Sequence, residues 1–477
     1  MKDEPQLARA LTLRDLVLFN LVAVVGITWV TAVKAGPGSL ALWLLAALLF
    51  FIPQGLAVVQ LSSSSPEEGG IYAWTRKEFG AGHGFLCGWC YWVNDILFYP
   101  TLLLSISTSA AYIFGRGESG LVEDWTYVLP FTLSALVVAV MLNIMGVGTG
   151  RWLQNAGGAG VYLIGIILIL LGLYAMLHKP AANPLSLRSL VPDLTNLPML
   201  NLWATIAFAF AGLELSATMG REIVQPRRNL PRSIYIAGPL VALLYVCGTL
   251  AILWLVPSEE LNIVAGPLQA IQSGVRSLGP TLGPTLAWVL PLCAVLLTLG
   301  RLGALGAWLT GSARVAFMVG LDQYFPQAFA RVHPRWRTPY VAIIVQAALA
   351  TFFLLLSVLG KGTSVVNAFL ILLDMSLLLY FIPYLYLFAC FIAHCRRSKD
   401  KKGLLVPGGR MGGVLAGLCG LFITLLAMGV TMIPPPETRE PLIYEAKVWG
   451  SSALLVLCGG LIYRAKRKSR KAEASFY

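Results

Sequence analysis

Charge is scarce in this chain. Of its 477 residues only 12% are charged and 57% are hydrophobic, with a mean hydropathy of +0.75. Soluble domains carry roughly 25% charged residues, so the shortage excludes an ordinary soluble globule and implies a polytopic membrane protein. Histidine is rarer still: His83, His178, His333 and His394 all fall near span ends or in loops. A membrane enzyme would need a cluster of His, Cys or acidic residues, so the pattern argues against catalysis and implies no metal and no cofactor. The eight cysteines sit mostly in apolar runs, where they act as small hydrophobes. Cys87 and Cys90 spell CxxC, yet they open a long apolar helix, whereas a redox motif needs an exposed thiolate beside a βαβ pattern. GVGTGR at 146–151 lacks the strand and the Lys-Ser/Thr ending of a phosphate loop. No repeated charge ring of the kind that lines a channel is present. The first ten residues are polar without the layout of a cleavable signal, so the first apolar segment is expected to be retained.

What the chain has is length of apolar sequence. A spanning helix needs about 20 apolar residues, and twelve candidates occur: 14–34, 39–61, 83–114, 127–147, 154–178, 199–220, 234–256, 285–311, 339–359, 365–393, 411–433 and 446–464. With the amino terminus on the cytoplasmic side, 26 of the 35 Lys and Arg fall on that side and 7 on the other. Lys34, at a span end, and Arg301, within the eighth span, complete the set. This bias sets both termini inside the cell membrane and accounts for the net charge of +13 without a nucleic acid. The basic tail Arg464–Lys471 reads as an anchor touching anionic lipid. The connection 257–284 is expected to form a structured cap, and 62–82 an amphipathic stretch on the membrane surface.

Two stretches carry the functional signal. Trp203–Ser233 begins as an apolar helix, meets Ala211-Gly212, carries Glu214, and ends in a basic, proline-punctuated loop from Arg221 to Arg232. An acid in a membrane-length segment is costly and commonly functional; the alternative is a kinked helix whose Glu faces a buried partner. The first span places Gly26, Ile27 and Thr28 at mid-membrane. A break there would present N–H groups to a carboxylate and free carbonyls to an ammonium. Corresponding breaks five spans apart mark an inverted repeat. Further polar groups at membrane depth are Asn94 and Asp95 in span 3, Asn143 in span 4, Arg301 in span 8 and Asp374 in span 10. Arg301 can pair with one acid; the others can carry a proton, bind an ammonium or donate hydrogen bonds. From Asn155 to Leu177, span 5 has no Lys, Arg, His, Asp or Glu.

Three ordered segments carry a family resemblance: Pro66-Glu67-Glu68-Gly69-Gly70-Ile71-Tyr72-Ala73-Trp74 with Phe79-Gly80; FAFAGLE at 208–214 running to Glu222, Pro226, Arg227, Asn229 and Pro231; and SARVAFMVGLDQYFPQAFARVHPRWRTPYVAI at 312–344. They resemble the amino acid–polyamine–organocation permeases. Within these, Glu67–Trp74 and Glu214-Leu-Ser-Ala look like glutamate/γ-aminobutyrate antiporters, and Asp95 with Tyr99-Pro100 like plant-type polyamine permeases. The resemblance implies an all-α integral membrane protein of twelve transmembrane helices and LeuT type. Residues 1–198 would form the first repeat, 199–395 the inverted second, and 396–477 two accessory helices and the tail. It implies alternating access by an exchanger or proton symporter of amino acids, or alternatively uptake of polyamines. Gly26, Ile27 and Thr28 would meet a substrate carboxylate. Phe208, Ala209, Ala211 and Gly212 would line the opposite wall, with Asp95, Arg301 and Asp374 as further substrate contacts. Glu214 would gate or sense protons. One glycine of the family's usual Gly-x-Gly in span 1 is replaced here by Thr28, and without a span 5 lysine one proton-coupling scheme of the family is unavailable to this chain. The oligomeric state is left open.

Overall fold

The computed structural model describes residues 9–26, 33–117, 119–192, 205–262, 264–358, 365–397, 405–431 and 441–474, with the single positions 7 and 433. Among them the chain is helical, and ten helices are long and apolar enough to cross a membrane. In chain order the elements are α1 (Leu13–Val24), α2 (Gly38–Ser64), α3 (Ile71–Phe79), α4 (Ala81–Ile113), α5 (Trp125–Ile144), α6 (Val147–His178), α7 (Pro226–Leu255), α8 (Gly266–Ser277), α9 (Gly279–Thr285), α10 (Val289–Leu321), α11 (Tyr340–Val358), α12 (Val365–Arg397), α13 (Gly409–Val430) and α14 (Pro441–Ala474). The ten spanning helices coincide with ten of the twelve apolar segments. The other two, 14–34 and 199–220, are the ones with predicted breaks, and neither forms a continuous helix in its described part.

Local chemistry explains the element ends. Thr12 and Asp15 form a capping box at the start of α1, which satisfies two orphan N–H groups. The second Asp15 oxygen accepts from Asn155 Nδ2 at 2.8 Å, tying α1 to α6. Pro226 opens α7 at its first turn, where a missing N–H costs nothing. Residues 226–232, read from sequence as loop, are therefore the first turns of that helix.

The core is the α4 bundle. α4 is buried almost throughout, packed by α10 and α12, whereas α14 is largely exposed. α6 crosses α10 where Gly157 and Gly303 meet; a Cβ on Gly157 would stand 3.0 Å from the Gly303 Cα, so small residues permit the approach. The cap over 257–284 consists of a short turn, α8 and α9. α3, within the stretch 62–82, is two-sided: Ile71–Thr75 are buried against α4 and α12, and Arg76 and Lys77 are exposed.

Candidate functional site

The two interrupted segments meet inside the helical bundle. α1 ends at Val24, and Val25 leaves the helix with φ −73° and ψ 86°. Gly26 follows; Ile27 and Thr28 lie outside the described residues. The second segment is helical over 205–209. It then tightens, with Ala211 N–H bonding the Phe208 carbonyl at 2.8 Å. Gly212 turns the chain at φ +121° into a 3-10 run, Leu213–Thr218. A side chain there would face both backbone strain and the Trp308 ring at 3.3 Å.

One hydroxyl joins the two breaks. Tyr245 Oη, on α7, lies 2.7 Å from the Val24 carbonyl and 2.8 Å from the Ala209 carbonyl, and accepts from Gly26 N–H at 3.4 Å. Trp308 Nε1 donates to the Ala23 carbonyl at 3.2 Å. Carbonyls orphaned by the α1 break are thus capped by side chains from α7 and α10. Beside them stand Phe98, Phe208, Trp308 and Tyr380, their rings in edge-to-face contact at 5.3–6.0 Å. Ala211 is buried next to the Gly212 turn.

Glu214 is fully buried and surrounded by donors. One carboxylate oxygen accepts from Tyr91 Oη at 3.2 Å and from Tyr380 Oη. The other accepts from Tyr384 Oη at 2.6 Å, Gly212 N–H at 3.1 Å and Gln54 Nε2 at 3.2 Å. Such a shell stabilises a carboxylate in a low-dielectric interior, and it couples the second break directly to α2, α4 and α12.

The other predicted contacts are dispersed. Arg301 does not pair with an acid. Its guanidinium donates to the Ser105 carbonyl on α4 and to the Val264 carbonyl at 2.8 Å. It lines a cavity of about 30 Å³ with Val25, Gly26, Leu102, Pro267 and Ala304. Asp95 accepts from Asn94 Nδ2 at 2.8 Å; its other oxygen has no hydrogen-bond partner among the described residues. Asp374 sits away from the breaks, between α12 and α14, accepting from Tyr444 Oη at 2.8 Å. The structure therefore brings together Gly26, Phe208, Ala209, Ala211, Gly212 and Glu214, sets Arg301 at the cavity beside Gly26, and leaves Asp374 elsewhere.

On the amino-terminal side the path beneath the breaks is packed shut. Arg314 on α10 makes a bidentate pair with Glu222, 2.8 and 2.9 Å, both side chains 1% exposed. The Glu222 carbonyl accepts from Ala10 and Leu11, and Gly69 N–H bonds the Thr218 carbonyl at 2.9 Å. Glu68 accepts from Arg221 N–H at 2.9 Å, and its other oxygen is unpartnered among the described residues. Burial, with the Glu222 carboxylate adding to it against the opposing pull of Arg314, raises the Glu68 pKa to about 8. Arg76 and Tyr72 both hold Asp322, Arg76 at 2.7 Å.

Sequence reading missed Tyr245, Tyr380, Tyr384 and Gln54. Tyr380 and Tyr384 stand one helical turn apart on α12, a spacing that puts both hydroxyls on one face. Tyr245 carries no such signal. No group of three or more His, Cys, Asp or Glu able to hold a metal occurs among the described residues.

Comparison with known proteins bears on this arrangement. A family model described as amino acid permease matches residues 16–452. A probable agmatine/putrescine antiporter of Lactococcus lactis is 24% identical, over 91% of this chain and 90% of that protein. A glutamate/γ-aminobutyrate antiporter of the same species is 23% identical, over 83% of this chain and 78% of that protein. Among solved structures, MhsT in complex with L-phenylalanine aligns with a TM-score of 0.60 at 15% identity, covering 96% of this chain and 99% of that one. That likeness shows a shared fold, the LeuT type expected above.

Proposed function

The chain belongs to the amino acid permease family, and on that premise we propose that it moves an amino acid across the cell membrane by alternating access, as an exchanger or proton symporter. The observation that carries the reading is the meeting of the two helix breaks at the Tyr245 hydroxyl. Broken helices at the bilayer midplane expose backbone polar groups to a solute while the rest of the backbone stays satisfied. The substrate carboxylate sits at the Gly26–Thr28 break and the opposite wall is Phe208–Gly212. Residues 1–198 and 199–395 act as the two inverted repeats. The Lys and Arg bias supports cytoplasmic termini, and on that reading the packed Glu222–Arg314 side is the closed cytoplasmic exit.

Polyamine uptake, the competing reading, requires carboxylates facing the cavity. Neither Asp95, Glu214 nor Asp374 lines the cavity, whose charged lining residue among those described is Arg301. The charge pattern supports the amino acid.

Purified protein in liposomes preloaded with a mixture of amino acids should take up at least one labelled amino acid by counterflow, and more of it than putrescine. Absence of any amino acid counterflow sinks the reading. Glu214 acts as gate and proton sensor in this scheme. Glu214→Gln is accordingly expected to flatten the pH profile of uptake, and a profile matching wild type would remove Glu214 from that role.

A further inference from the structure

The cavity beside the first break has one charged wall. Apart from Arg301, its lining is apolar side chains, glycine and proline. Arg301 is 6% exposed and its guanidinium is held by two backbone carbonyls. Carbonyl dipoles orient and solvate a cation but do not cancel its charge. No acid pairs with Arg301 among the described residues, and a buried charge left without a counter-ion is strongly unfavourable. The nearest acid on the facing helix is remote: Asp95 lies ten residues from Ser105 along α4, about 15 Å at 1.5 Å per residue. Neither Asp95 nor Glu214 lines this cavity.

Net charge at the site then discriminates between substrates. A zwitterionic amino acid brings a carboxylate and an ammonium, and leaves the site carrying the arginine's positive charge. A polyamine adds to it. A substrate with a second carboxylate brings net −1 and neutralises the charge that Arg301 sets in this cavity. Building on the transport reading above, we propose that Arg301 makes this carrier select acidic amino acids, its planar fork receiving the side-chain carboxylate while the break at Gly26 receives the main-chain one. The two carbonyl bonds hold the guanidinium in place until the helices part and the carboxylate enters; bidentate geometry suits arginine better than lysine for that role.

The test is counterflow in proteoliposomes with labelled L-glutamate and L-glutamine, which differ by one charge and little in shape. Wild type is expected to prefer glutamate at least tenfold. Arg301→Gln is expected to reduce the glutamate-to-glutamine ratio tenfold or more. Arg301→Lys keeps the cation and is expected to keep glutamate ahead at a reduced rate, so the charge is tested even if the glutamine variant fails to fold. A wild type that moves glutamine as well as glutamate, or an Arg301→Lys variant that loses the preference, overturns the proposal while leaving amino acid transport standing. A protein that moves no amino acid fails the transport reading itself.

Discussion

Two arginines on one helix are treated in opposite ways. Arg314 lies thirteen residues after Arg301 along α10, about 20 Å away at 1.5 Å per residue. Arg314 is locked to Glu222 by two hydrogen bonds. Arg301 is steadied by carbonyls and meets no carboxylate among the described residues. A permanent counter-ion makes a cation structural, because the pair is neutral and each partner fills the other's hydrogen bonds. A cation without one is available to a mobile anion. The same contrast separates the two acids at the breaks' level and below: Glu214 has a full set of donors, while Glu68 has an oxygen unpartnered among the described residues.

The largest expected effect lies at the locked pair. Arg314→Gln leaves Glu222 buried and unpaired, a loss of about 3–5 kcal/mol, to be read as a lowered unfolding midpoint in detergent. If Arg301→Gln destabilises as much as Arg314→Gln, the two arginines are equivalent and the contrast fails. Tyr245→Phe comes next. It removes the one hydroxyl proton that the Val24 and Ala209 carbonyls share, at about 1–3 kcal/mol for an unsatisfied buried group, and slows transport by loosening the junction of the two breaks. Unchanged stability and rate together would show that the breaks do not depend on this hydroxyl.

The smallest effect concerns pH. Because the Glu68 pKa is raised from 4.5 to about 8, the folded protein keeps a proton that the unfolded chain has lost between those values. Its contribution to stability is therefore present at low pH and falls as pH rises toward about 8. Hydrogen exchange of the amides at 66–70 and 219–224 should quicken over that window in wild type and lose the trend in Glu68→Gln. An identical trend in the variant would assign it to another group.

The membrane class, ten of the twelve spans, the helical cap and the positions of both breaks were legible in the chain itself. Each rests on local properties: apolar length set by bilayer thickness, turn-forming glycine and proline, and the sidedness of Lys and Arg. Gly212 was legible for the same reason, since a turn at φ +121° selects glycine wherever the partners stand. What the chain alone left open was who partners whom. Arg301 and three acids at similar depth looked like candidates for one another, yet α10 turns Arg301 toward carbonyls, α12 gives Asp374 to Tyr444, and three helices converge on Glu214. Tyr245 is one more aromatic in an apolar run until the fold brings residues 24 and 209 to the same hydroxyl. Burial follows from composition, but neutralisation depends on approaches of a few ångströms between segments far apart in sequence, and only the packed bundle decides them.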